Sequence, residues 1–91
     1  MTELVLPATL THAQAAGTSR MLAQALKAGA ASSPVVVDGS ALQAFDSSAL
    51  AVLLECRREA LAAGQPFGTR ALPPRLRVLA SLYGVAELLP N

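Results

Sequence analysis

A chain of 91 residues and 9.3 kDa has room for one domain, spanning 1–91, and leaves a large share of its surface in water. Apolar residues make up 53% of it and charged ones 14%, a balance that excludes disorder and points to apolar surface covered by a partner. The net charge of +1 comes without a run of Lys or Arg, so neither a nucleic acid nor an anionic membrane surface is expected as the main partner.

Leu4-Val5-Leu6 is a short apolar run closed by Pro7, which cannot donate to a ladder, so an edge strand is expected there. Thr11-His12-Ala13-Gln14 has capping-box spacing and opens a helix to about Lys27, with Ala15, Leu22, Ala25 and Leu26 inward and Gly29 as its stop. After the connector Ala30-Ala31-Ser32-Ser33, Pro34 introduces Val35-Val36-Val37, an unbroken apolar run expected of a central strand covered on both faces. Asp38-Gly39-Ser40 turns the chain. A second helix is predicted from Ser47 to Ala63, capped by Asp46, lined by Leu50, Leu53, Leu54 and Leu61, and closed by Gly64. Pro66 to Leu72 reads as a strand. Pro73-Pro74 then start a third helix to about Tyr83, burying Leu76, Leu79 and Leu82 and ending at Gly84, before the short apolar tail Val85 to Leu89. Strand and helix alternate three times, which implies an α/β fold: a small sheet with parallel pairs, joined by right-handed crossovers and packed against about three main helices.

Chemistry-bearing residues are few. His12 is the only histidine and Cys56 the only cysteine, which leaves no zinc set built from such ligands and no disulfide framework. A reducing compartment is the simplest assumption, with Cys56 a buried small hydrophobe in mid-helix and His12 a solvent-facing residue of a first helical turn. No P-loop is present, and Asp38 and Asp46 read as a turn former and a helix cap before they read as an acid–base pair. The opening MTELVLPATL lacks the basic region and long apolar run of a secretory signal, and no apolar stretch reaches the roughly 18 residues of a membrane span. Phe45 is expected to fill a core slot under the loop that leads to Asp46-Ser47-Ser48. An acid and two hydroxyls there are ordinary helix-start chemistry, worth about 1 kcal/mol. They also sit where backbone N–H groups point outward and a change of charge is strongly felt.

The stretch from Val35-Val36-Val37-Asp38 through Asp46-Ser47-Ser48-Ala49-Leu50 to the Gly64 turn and the next strand resembles the STAS domain family. In that family a strand of hydrophobic-hydrophobic-Asp/Asn-Leu type leads to Asp-Ser/Thr-Ser/Gly-Gly-Leu at the head of the second helix. The resemblance covers about 80 residues in matching element order. Ala49 stands where the family usually has Gly, and only Leu4 to Leu10 is available for the N-terminal hairpin, which is therefore expected to be shortened. The short N-terminus and the ending Leu79 to Pro90 are similar to the small, MlaB-like STAS subunits of Mla phospholipid transporters.

That resemblance implies a non-catalytic subunit in the cytoplasm, peripheral to the inner membrane only through its complex and binding the ATPase of an ABC transporter that maintains lipid asymmetry. It implies no cofactor of its own, because ATP and magnesium would belong to the partner. It makes Asp46, Ser47 and Ser48 the partner-binding residues, with Ser47 the central contact and the loop from Gly39 to Ser48 plus the exposed face of the second helix as the docking surface. The alternative within the family is an anti-sigma factor antagonist whose Ser47 is phosphorylated by an anti-sigma factor serine kinase. Phosphate there would add about −1.5 to −2 charges beside Asp46 and repel a docked partner.

Overall fold

In the computed structural model, which describes residues 1–29 and 32–90, the chain runs β1 (Thr2–Val5), β2 (Thr9–Leu10), α1 (His12–Ala28), β3 (Val35–Asp38), β4 (Ala44–Phe45), α2 (Ser48–Ala62), β5 (Phe67–Arg70), α3 (Pro74–Leu82) and a single 3-10 turn, Ala86–Leu88. The fold is α/β with three helices and small parallel sheets. Of the expected connector, Ala30 and Ala31 lie outside the described residues.

Three strands pair in parallel in the order β1-β3-β5, so the valine strand is central and β1 is an edge. In register, Leu4, Val37 and Thr69 share the core-facing side, while Val5, Asp38 and Arg70 share the other. The valines therefore alternate: Val35 and Val37 are buried, and Val36 is half-buried on the far face. Full coverage of both faces was expected from the apolar run. Because β1, β3 and β5 follow one another across the sheet in chain order, two right-handed crossovers place α1 and α2 on the same side, and the other side has neither. There Arg70 reaches both Glu3 at 2.6 Å and Asp38 at 2.8 Å.

The segment from Leu4 to Leu10 forms two strands that pair with later ones instead of with each other. β1 lies along β3, and β2 lies parallel to β4 with Thr9 opposite Ala44 and Leu10 opposite Phe45. The β2–β4 ladder goes beyond the three strands read from the sequence, because two residues carry no periodicity.

Each helix is set by identifiable chemistry. Gln14 Oε1 accepts from the Thr11 N–H at 2.9 Å and the Thr11 hydroxyl at 2.7 Å, so the Gln half of the expected box opens α1. The buried side of α2 is Ala49, Leu50, Val52, Leu53, Cys56 and Ala60, which centres the stripe on small residues facing α1 and leaves the leucines at its margins. Leu54 is half-buried, and Leu61, expected inside, is exposed. In α3 Leu76 and Ala80 are buried, Leu79 is partly so, and Leu82, also expected inside, is 76% exposed. Both α2 and α3 end on a glycine at positive φ, Gly64 and Gly84. In each case the following N–H returns to the third-last helical carbonyl: Gln65 to Ala60 and Val85 to Ala80, both at 2.9 Å.

β5 is shorter than the Pro66–Leu72 stretch suggested, and Ala71, at φ 57°, turns the chain out of it. The tail then returns to the sheet. Thr69 N–H donates to the Pro90 carbonyl at 2.7 Å, and the Leu89 side chain is fully buried.

Candidate functional site at the head of the second helix

β3 delivers the chain to the site through Asp38. One oxygen of its carboxylate accepts from Arg70 Nη2 at 2.8 Å and the other from the Ser40 N–H at 2.7 Å. These bonds, that to Arg70 foremost, hold its pKa down to about 2. Gly39 follows where a Cβ would come within 2.7 Å of a Leu72 methyl, so the turn passes β5's exit only because the residue has no side chain. Leu42 is buried beneath the loop, and the N–H groups of Gln43 and Ala44 both donate to the Ala8 carbonyl. The β2–β4 ladder then fixes Phe45, half-buried against the core, with the Arg75 guanidinium 5.3 Å from the centre of its ring.

Asp46 does more than cap one helix. Its Oδ1 accepts from the Ser48 N–H at 2.8 Å, as an N-cap does, while its Oδ2 accepts from the His12 N–H at 3.1 Å at the start of α1. A single carboxylate thus ties together two helix N-termini, where the partial positive charge of the aligned peptides favours an anion. The Ser48 N–H bond leads the causes that lower its pKa, and the Ser48 hydroxyl also bonds it. His12 is exposed, as its place in a first helical turn suggests.

Ser47 is different. It is exposed, its carbonyl accepts from Leu50 N–H at 3.0 Å, and its hydroxyl makes no hydrogen bond among the described residues. Of the three residues singled out from the sequence, Asp46 and Ser48 are engaged with each other and with helix backbone. Ser47 alone presents an uncommitted polar group. Ala49, in the family's glycine position, has helical backbone and is completely buried, so its methyl packs into the core without disturbing the corner.

Beside Ser47 lies an open groove of about 360 Å3 whose walls include Ser47, Ser48, Ala51 and Leu54 on α2 and Tyr83 and Val85 beyond α3. A second, of about 280 Å3, lies against α3 and is lined by Phe45, Arg75, Val78, Leu79 and Leu82. The two share the ridge made by the end of α3, where Leu82 and Tyr83 are 76% and 61% exposed. The contribution of α3 was missed from sequence because Leu82 was read as core. The signal was present: Leu76 and Ala80 form one i, i+4 apolar pair, and Val78 and Leu82 form another about 200° around the same helix.

Cys56 is buried, and desolvation pushes its thiol up to about 11, so it behaves as a small hydrophobe. Among the described residues no three His, Cys, Asp or Glu side chains gather to hold a metal, and no helix is long and apolar enough to cross a membrane.

The sequence profile described as "Mlab, STAS domain" matches residues 2–90. No curated protein is similar enough in sequence to count as a relative. With the profile running over nearly the whole chain, and the parallel sheet and helix-head motif in place, the chain belongs to the STAS domain family, with MlaB-like character.

Proposed function

We propose that this chain is a non-catalytic STAS subunit that binds and stabilises the ATPase of a Mla-type, phospholipid-trafficking ABC transporter, reaching the membrane only through that complex. The observation that carries the reading is Ser47: an exposed hydroxyl without a partner of its own, held rigidly at the head of α2 by the Asp46 clamp, within a domain of MlaB-like character. Docking by such a preorganised surface costs little ordering. A subunit that binds only the assembled ATPase stabilises it by mass action, by about 2.7 kcal/mol at a hundred times its dissociation constant. Nucleotide and magnesium belong to the partner in this scheme.

The test is capture of the ABC ATPase encoded beside this chain. Wild-type protein retains it, and Ser47→Arg, which sets a bulky cation at the contact, loses it while the circular dichroism spectrum stays unchanged. Recovery of a serine kinase in place of the ATPase, with phosphate on Ser47 by mass spectrometry, overturns the transporter reading in favour of an anti-sigma factor antagonist.

A further inference from the structure

We infer that the groove lined by Phe45, Arg75, Val78, Leu79 and Leu82 is a second docking element, one that receives an amphipathic helix of the ATPase subunit bearing an acidic residue opposite Arg75. The inference rests on the ATPase reading above and adds to it a defined occupant. Val78 and Leu82 are 60% and 76% exposed, an unusual expense of apolar surface for a chain this small. Arg75 is exposed beside them, poised over the Phe45 ring, and makes no ion pair among the described residues. No acidic side chain lines this groove or the one beside Ser47. The surface therefore asks for apolar side chains and one negative charge.

Its spacing specifies a helix. Arg75, Val78 and Leu82 stand at i, i+3 and i+7 on one side of α3, a span of roughly 10 Å, or about two helical turns. A facing helix offers apolar residues at i and i+4 and a carboxylate one turn further on, the helix-in-groove mode of recognition. A second copy of this chain is the poorer occupant, since a two-fold contact sets the surface against itself and brings cation to cation with no anion supplied. Continuity favours the ATPase. Phe45 lies two residues before Ser47, and Leu82 adjoins Tyr83 of the neighbouring groove, so one partner spans both.

The experiment measures binding of purified ATPase to wild-type protein, Arg75→Glu, Leu82→Asp and Ser47→Arg by calorimetry, with circular dichroism as the folding control. Arg75→Glu and Leu82→Asp are each expected to weaken binding at least tenfold, and exchanging the facing acid of the ATPase helix for Lys is expected to restore binding to Arg75→Glu. If both α3 variants bind like wild type while Ser47→Arg does not bind, the groove proposal is overturned and the ATPase reading stands. If wild type itself fails to bind the ATPase, both fall. Concentration-dependent dimerisation that Leu82→Asp abolishes, with ATPase affinity untouched, overturns the proposal in favour of a second copy.

Discussion

Asp46 illustrates how much of the site rests on single atoms. Its two carboxylate oxygens serve two different helices, so an amide in its place keeps one acceptor and presents an NH2 to the other N–H. Asp46→Asn is therefore expected to stay folded but to lose protection at one of the two amides, His12 or Ser48, in hydrogen exchange. Equal protection at both would show that the bridge contributes nothing to holding the helix heads together. Ala49 gives a complementary prediction. Restoring the family's usual residue with Ala49→Gly removes a fully buried methyl, worth about 0.8 kcal/mol, and costs up to about 1 kcal/mol of helix propensity. A loss of about 1–2 kcal/mol is expected in urea unfolding, with capture of the ATPase retained because no contact residue changes. The Asp-Ser-Ser motif was readable from residue types and spacing. That Asp46 and Ser48 are internally engaged, leaving Ser47 exposed and uncommitted, was not, because the partner of Asp46 Oδ2 comes from 34 residues away.

At the level of elements, the uncovered face of the sheet is organised by Arg70, which joins β1 to β3 through Glu3 and Asp38. Asp38 titrates at about 2, below the ordinary value of 3.8, chiefly through its bond to Arg70 and then those to Ser40. A carboxyl lowered by folding contributes stability that is complete above its unfolded pKa and lost as pH falls through the folded one. The melting-temperature gap between wild type and Asp38→Asn is thus expected to be constant from pH 7 to about 4 and to close between about 4 and 2. A gap that persists at pH 2 would mean that the ion pair is not its source. The elements themselves were largely legible: the Gln of the capping box, the Pro34 entry and both glycine stops mark ends that the structure keeps. What escaped was set by neighbours. The valine strand lost one cover to the topology of the crossovers, and the stripe on α2 centred on Ala49, Cys56 and Ala60 where leucines alone would have placed it elsewhere. The exposed ridge of Val78 and Leu82 hid for the same reason: an apolar residue at helical spacing looks like core until the packing side is known.

Over the whole molecule, the order of strands and helices was fixed by local signals, but closure of the fold depends on a contact between residues 69 and 90 that no local pattern announces. β5 would be an open edge if the tail did not return beside it. The return is held at three points. Thr69 donates from both N–H and hydroxyl to the Pro90 carbonyl, at 2.7 and 2.8 Å, and Arg77 Nη1 on α3 donates to the Leu89 carbonyl at 3.0 Å. Arg77 Nη2 also donates to the Thr69 hydroxyl at 3.2 Å, so sheet, helix and tail share one chain of hydrogen bonds. Leu89 inserts a completely buried side chain at that junction. Truncating it removes apolar contact and leaves a cavity where the backbone on either side is tied down and relaxes little, a change that costs about 2–5 kcal/mol in well-packed cores. At roughly 4–8 °C per kcal/mol for a domain of this size, Leu89→Ala is expected to lower the melting temperature by at least about 8 °C. Exposed Glu87 on the same tail supplies the control, Glu87→Ala, expected to melt within a few degrees of wild type. If Leu89→Ala also melts like wild type, the tail is a loose cover and β5 is closed by something other than residues 89 and 90.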